Sequence, residues 1–213
     1  MKTYYKRNLP HIQPPGATLF VTFRLFGSIP KRFLNELSIE HKNLNRLILK
    51  TWNRKSNEFT KYYNQQKRLI KKFDDYLHSE KTGLHFLKNE SIAELVCSSM
   101  MFFDKERYDL LSYCVMSNHV HIVFTPLRIN GEEYFALGDI MHSIKSYTAK
   151  EANKMLNRTG KPFWVIESFD HFCRDSAEVE RVIEYVLNNP VNAGLVSSYD
   201  KWSWSYVKPD MFI

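Results

Sequence analysis

The chain has few cysteines and no long apolar segment, and both features limit the class of protein to which it can belong. Its 213 residues include only three cysteines, Cys97, Cys114 and Cys173. An odd number without a CxxC pair argues against a disulfide framework and favours reduced thiols in a cytoplasmic protein. No stretch approaches the roughly 18 apolar residues of a membrane helix, and the basic N-terminus has no apolar segment behind it. We therefore expect neither a signal peptide nor a membrane anchor.

Positive charge is in excess. The net charge is +7, hydrophobic residues make up 44% of the chain, and 12 Tyr, 15 Phe and 4 Trp supply aromatic surface. The hydrophobic fraction is enough for a real core, and a basic domain favours an anionic partner, most often nucleic acid. The alternative is a basic surface that is simply solvated.

Two histidines one residue apart, His119 and His121, lie in an apolar stretch that is typical of a buried strand. Because side chains alternate across a strand, both imidazoles point to one face, while Val120, Ile122 and Phe124 point to the other. Two adjacent imidazoles are half of a metal site. The same spacing also occurs in a polar cross-strand pair, so the histidines alone do not decide between the two interpretations.

The alternation of apolar and polar residues predicts an α+β fold in which helices pack on an antiparallel sheet. In chain order the pattern predicts a strand at 17–25, a long helical region from Pro30 with a second helix over 53–81, a helix from Ser91, strands at 108–116 and 119–125, a helix at 137–156, a strand at 163–172, and a helix at 177–188. The two adjacent strands should form a hairpin.

Two helix starts carry capping signals. Ser91 and Glu94 fit a capping box, and Asp175 or Ser176 would cap the last helix with Glu178 three or two residues further on. Pro190 and Gly194 are expected to end that helix.

Candidate chemistry converges on the last predicted helix. Tyr185 and Asn189 are four residues apart and so share one helical face if the helix persists to Asn189. Two histidine nitrogens and an Asn oxygen could hold a divalent cation with open positions, and Tyr185 could then attack a phosphate as a nucleophile. Tyr147, beside Lys145 and Lys150, competes for that role, and spacing alone does not choose between the two tyrosines.

Three motifs in a fixed order carry a family resemblance. The stretch VMSNHVHIVF, residues 115–124, resembles the His-hydrophobic-His motif of HUH endonucleases, above all the single-tyrosine transposases that act on single-stranded DNA. SFDHFCRD at 168–175 and VIEYVLNNPVNAGLV at 182–196 resemble the REP-associated tyrosine transposases, and IMHSIKSYT at 140–148 also matches. The similarity is good over 108–206 and looser over 1–25.

The resemblance implies a ferredoxin-like, RRM-like sheet with the histidines on a central strand. It implies one HUH single-tyrosine transposase domain over 1–213. The helical region at 31–81 departs from the compact core of the family, and we predict that it is an insertion after the first strand. His119, His121 and Asn189 match the family's metal ligands, and Tyr185 matches the nucleophile. Mg²⁺ or Mn²⁺ suits such a mixed imidazole and amide-oxygen site better than a closed structural zinc site does.

The implied reaction is cleavage and rejoining of single-stranded DNA at palindromic hairpins, through a covalent 5′-phosphotyrosine. Lys145, Lys150, Lys161 and Arg174 are the candidates for contacts to the DNA backbone. The resemblance leaves open a monomer or a homodimer, and it implies a cytoplasmic protein that is nucleoid-associated when bound to DNA. The alternatives are a domesticated hairpin-binding protein without turnover and a metal-dependent nuclease that activates water.

Overall fold

A computed structural model describes residues 4–6, 10–30, 32–33, 57–79, 83–131, 133–209 and 211. The chain divides into two compact units, one formed by Met1–Phe26 with Leu84–Ile213 and the other by Gly27–Gly83. Most of the helical region that was predicted to follow Pro30 lies outside the described residues. The assignment of 31–81 as an insertion within a single transposase domain stays a prediction.

The first unit is built on a five-stranded antiparallel sheet. Its described strands are β1 (Tyr4–Lys6), β2 (Pro10–Ile12), β3 (Leu19–Arg24), β4 (Tyr108–Val115), β5 (His119–Pro126), β6 (Arg128–Asn130), β7 (Glu133–Tyr134), β8 (Phe169–Phe172) and β9 (Ser205–Val207). The main sheet has the order β8-β3-β5-β4-β9, whereas β1 with β2 and β6 with β7 form small separate pairs. The predicted hairpin is therefore present as β4 and β5.

The described helices of four or more residues are α1 (Asn57–Ser79), α2 (Glu90–Phe102), α3 (Leu137–Met155), α4 (Ser176–Leu187) and α5 (Asn189–Asn192), and short 3₁₀ turns cover Phe86–Lys88 and Tyr199–Lys201. Both α2 and α3 lie on one face of the sheet. There the Tyr108 hydroxyl donates to the Met100 carbonyl at 2.6 Å, and Trp164, which packs on Phe23, donates to the Thr148 hydroxyl at 2.9 Å. Helix α4 packs across β4, β5 and β9 on the opposite face.

The strand order confirms the predicted α+β, ferredoxin-like class. Strands β8, β3, β5 and β4 lie side by side in that order, with helices in the β3–β4 and β5–β8 connections and a direct hairpin between β4 and β5. This is the split βαβ arrangement, and β9 extends it beyond β4. The two histidines therefore lie on the central strand.

The predicted strand at 163–172 is too long. Only Phe169–Phe172 pairs continuously, while Trp164 makes an isolated bridge to Leu25. Between them the ladder is broken, because the Ile166 carbonyl accepts from the Lys145 ammonium at 2.9 Å rather than from a neighbouring strand.

The N-cap predicted for α2 is wrong, and the N-cap of α4 is one of its two predicted candidates. Ser91 is not a cap: α2 begins at Glu90, and the side chain of Asn89 accepts from the Ile92 amide at 3.3 Å. Asn is as good an N-cap as Ser, so the earlier residue takes the role. Asp175, not Ser176, caps α4 and accepts from the Glu178 amide at 2.8 Å.

Helix α4 ends before the proline that was predicted to end it. Its last residue is Leu187, and Pro190 lies in the first turn of α5, where its missing N–H costs nothing. Gly194, with φ of 68°, follows that short helix. Asn189 is consequently the first residue of α5 and not the last of α4.

In the second unit, α1 carries an apolar stripe at helical spacing, with Leu69, Ile70, Phe73 and Leu77 all buried. Phe33 stacks on Tyr76 with ring centroids 3.9 Å apart. Helix α1 lies within the predicted helix at 53–81, whose two ends fall outside the described residues. None of the described helices is long and apolar enough to span a membrane.

Stability should decline above about pH 9. Burial raises the pKa of Cys97 to about 11 and raises the pKa of Tyr108 and of Tyr113 well above their usual value. These groups stay protonated in the fold while the unfolded chain ionises, so the unfolded state binds fewer protons and the free energy of unfolding falls as pH rises. Urea denaturation at pH 8, 9 and 10 measures the decline. Cys97→Ala should decline less steeply, and equal stability at all three pH values would contradict the assignment.

Candidate active site

The pairing of β3 with β5 creates a polar face in the middle of the sheet. Thr22 lies opposite His121, and Arg24 lies opposite His119. Residues opposite each other in an antiparallel pair share a face, so a hydroxyl, a guanidinium and two imidazoles form one group. All four side chains are buried, with exposed fractions of 6% or less.

The two imidazoles converge through their Nε2 atoms, which are 3.1 Å apart. The other nitrogen of each ring is held from behind: His119 Nδ1 lies 2.6 Å from Asn118 Oδ1, and His121 Nδ1 lies 2.9 Å from the Thr22 hydroxyl. An amide oxygen only accepts, so Nδ1 of His119 carries the proton, and in the neutral ring its Nε2 has the lone pair. Metal-binding histidines are held in the same way, with the ring nitrogen that does not bind the metal hydrogen-bonded to a neighbouring group.

Tyr185 lies over this face on α4. Its ring centroid is 6.1 Å from that of His121 and 6.1 Å from that of Phe20, and Phe20 stacks on His121 at 5.6 Å. The competing Tyr147 is 53% exposed and lies on α3, across the sheet. The sheet therefore separates the two tyrosines that the sequence left in competition.

Asn189 follows one turn after Tyr185 and is fully buried. Its Nδ2 donates to the Tyr185 carbonyl at 2.8 Å, whereas its Oδ1 has no hydrogen-bond partner among the described residues. The carbonyl only accepts, so the amide cannot be reversed and the oxygen must face away. A buried acceptor without a partner costs about 1–3 kcal/mol, a cost that an oxygen-binding ligand would remove.

These residues fit a divalent cation. Two nitrogen ligands about 2.1 Å from one ion are about 3 Å apart when the angle between them is near 90°, close to the observed 3.1 Å. The Asn189 oxygen, which has no partner in the described part of the chain, is the kind of hard ligand that Mg²⁺ and Mn²⁺ accept. All three donors are neutral, so the ion would keep its full charge for a phosphate.

Three residues at this site were not predicted from the sequence to be functional: Arg24, Thr22 and Asn118. Arg24 is buried beside His119, and burial lowers its pKa to about 10, so it remains protonated at neutral pH. Alternation along β3 places Arg24 and Thr22 on one face, but only the pairing of β3 with β5 brings them to the histidines.

The four candidate DNA-binding cations do not form one group. Lys145 and Lys161 line a pocket of about 320 Å³ between α3 and residues 161–170, on the face away from the histidines. The Lys145 ammonium donates to the Ile166 carbonyl and to the Ser168 hydroxyl at 3.0 Å. Lys150 is exposed on α3 outside the pocket lining, and Arg174 lies at the start of α4 with its Nε 3.5 Å from Glu178.

A family model described as Transposase IS200 like matches residues 84–189, which contain the histidine pair, Tyr185 and Asn189. The chain belongs to the IS200-like transposase family. No curated protein matches the chain.

A solved structure of a REP-associated tyrosine transposase bound to a REP hairpin has a similar fold. The similarity covers 94% of this chain and 80% of that chain, with a TM-score of 0.51 and 14% sequence identity. At 14% identity, the similarity shows a shared fold alone.

Loss of the groups behind the histidines should weaken cation binding. We expect Asn118→Ala and Thr22→Val each to lower the affinity for Mn²⁺ by roughly 10- to 100-fold, because the rings lose the hydrogen bonds that orient them. Titration followed by electron paramagnetic resonance measures the affinity. Thr125→Val, which removes a hydroxyl bonded to Thr18 elsewhere on the sheet, is the control. Unchanged affinity in both variants would contradict the proposed roles of Asn118 and Thr22.

Proposed function

We propose that this chain cleaves and rejoins single-stranded DNA at palindromic hairpins through a covalent 5′-phosphotyrosine at Tyr185, and so carries out DNA transposition. The observation that carries the proposal is the position of the Tyr185 ring, 6.1 Å from His121, beside two Nε2 atoms that face each other. Membership of the IS200-like transposase family supports the same reaction.

In the proposed reaction the Tyr185 oxygen attacks the phosphorus of a phosphodiester. A bond forms between the phenolic oxygen and phosphorus, the bond from phosphorus to the 3′ oxygen breaks, and the 5′ phosphate stays on the protein. The phenolic proton passes to solvent, and the departing 3′ oxygen takes up a proton to become a free hydroxyl. Attack of a 3′ hydroxyl on the phosphotyrosine reverses the step and rejoins the strand, so no nucleotide cofactor is needed.

A phenol with an ordinary pKa of about 10 attacks poorly at neutral pH without nearby positive charge. A divalent cation such as Mg²⁺ or Mn²⁺, held by His119, His121 and Asn189, would polarise the phosphate oxygens. The chain itself supplies the buried guanidinium of Arg24 opposite His119. Phe20 packs against both His121 and Tyr185 and so holds the nucleophile beside the imidazoles.

Hairpin binding is proposed on two grounds. The fold resembles that of a transposase bound to a REP hairpin, and this chain has a net charge of +7. Lys145 and Lys161, which line one pocket, are the best placed of the four candidate cations to act together on a DNA backbone.

Replacement of the nucleophile tests the reaction. Wild-type protein incubated with Mn²⁺ and a labelled single-stranded hairpin from the flanks of its own gene should give a protein-linked DNA band on a denaturing gel. Tyr185→Phe should lose the band completely, because the nucleophilic oxygen is gone, and a chelator should also remove it. Tyr147→Phe should retain it.

Each alternative outcome has a clear meaning. Free cleaved DNA from Tyr185→Phe would point to a nuclease that activates water. Hairpin binding without cleavage by the wild type would point to a domesticated binding protein. A linked band that persists in Tyr185→Phe and vanishes in Tyr147→Phe would overturn the choice of tyrosine.

Removal of the two pocket lysines tests the DNA contacts. Lys145→Ala with Lys161→Ala should weaken hairpin binding and lower the slope of log Kd against log salt by up to about 2, since each phosphate contact contributes roughly 0.7–0.9. Lys154→Ala is the matched control, because Lys154 lies on the same helix and pairs with Glu151 at 2.8 Å. An unchanged slope in the double variant would exclude this pocket from backbone binding.

A further inference from the structure

A buried carboxylate joins the start of the helix that carries Tyr185 to the edge of the sheet. Glu178, in the first turn of α4, is fully buried. Its Oε1 lies 3.3 Å from Nε2 of His171 on β8, and its Oε2 accepts from the backbone N–H of Arg174 at 3.0 Å. His171 is itself 3% exposed.

Capping accounts for Oε2, which accepts from the Arg174 N–H at the start of α4 and lies 3.5 Å from the Arg174 Nε, but not for the contact of Oε1 with His171. Asp175 already caps α4 through the Glu178 amide. Replacement of both partners of a buried hydrogen bond by apolar side chains of similar volume is often neutral or stabilising. The carboxylate positions the helix, because its hydrogen bonds to His171 on β8 and to the β8–α4 turn fix where α4 begins relative to the sheet.

That fixed start determines the place of Tyr185. Tyr185 follows Glu178 by seven residues, so both lie on the same side of α4, about 10 Å apart along its axis. His171 lies directly opposite Phe20 in the pairing of β3 with β8. Phe20 in turn contacts the rings of His121 and Tyr185. The Glu178–His171 pair therefore borders the site at two points, through the helix and through Phe20.

We propose that Glu178 and His171 are positioning residues that set the register of α4 on the sheet and thereby hold Tyr185 in line for attack. The inference rests on the proposed function, since it assigns the pair a part in that reaction. A misplacement of about 1 Å of a reacting group can cost about 100-fold in rate. The pair should thus matter more for the rate of attack than for the stability of the fold.

The test replaces the pair with apolar residues of similar size, Glu178→Met together with His171→Phe. We expect a melting temperature equal to or above that of the wild type and a hairpin Kd within twofold. The rate constant for adduct formation at saturating hairpin should fall roughly 10- to 100-fold. Glu178→Gln, which keeps an oxygen for the Arg174 amide, should recover most of the rate. Glu180→Met, at an exposed position of the same helix, is the matched control.

A merely structural role would lower the melting temperature and the rate together, and that result would overturn the proposal, as would a rate within twofold of the wild type. If the double variant does not fold, His171→Phe alone decides, because Glu178 then keeps its bond from the Arg174 N–H. A lowered melting temperature with an unchanged rate constant counts against positioning, and a reduced rate constant with an unchanged melting temperature supports it.

A second readout is independent of DNA chemistry. In protein labelled with 3-fluorotyrosine, the ¹⁹F signal that disappears in Tyr185→Phe reports the ring beside His121. The proposal predicts that this signal shifts in the double variant and stays in place in Glu180→Met. If the wild type forms no adduct, the proposed function fails, and the ¹⁹F signal alone then supports or overturns the positioning of Tyr185.

Discussion

The pairing of β3 with β5 is the constraint on which the site depends. It sets Thr22 behind His121 and Arg24 beside His119, and it places both histidines on the central strand of the sheet, where the backbone is fixed on both sides. A shift of this register by one residue would turn Thr22 and Arg24 to the opposite face and bring apolar side chains to the imidazoles. The backbone hydrogen bonds between β3 and β5 thus determine which side chains meet at the site.

The histidine face of the sheet buries several polar groups, and the free energy that this costs must be offset by the rest of the fold. A buried guanidinium, two buried imidazoles and a buried amide oxygen without a partner among the described residues would each favour water over this environment. The opposite face of the sheet is an ordinary apolar core, in which Val21, Phe23, Val120, Ile122 and Phe124 are all buried. The histidine face adds its own apolar contacts, since Phe20 and Val123 are buried there and α4 packs over it.

The sequence predicted the elements of this site better than their connections. Alternation was enough to place His119 and His121 on one face and to predict the hairpin of β4 and β5, since both follow from local pattern. The role of Arg24 could not be predicted, because it depends on pairing between residues about a hundred positions apart. The split between α4 and α5 was missed because a proline after an Asn predicts an end to a helix equally well whether or not a new one begins.

Local signals also failed where two residues could do the same task. Ser91 and Asn89 are both good N-cap residues, and Asn89 takes the role because α2 begins at Glu90. The strand at 163–172 was over-extended, because its sequence pattern does not reveal that Lys145 takes the Ile166 carbonyl. The two candidate tyrosines could be separated only by the sheet between them.

We propose that His119, His121 and Asn189 together hold one divalent cation beside Tyr185. The most direct measurement is the position of Mn²⁺ in crystals grown with manganese, located by anomalous X-ray scattering. We expect one strong site bonded to both Nε2 atoms and to the Asn189 amide oxygen. A manganese ion bound elsewhere while the two histidines remain hydrogen-bonded to each other would contradict it.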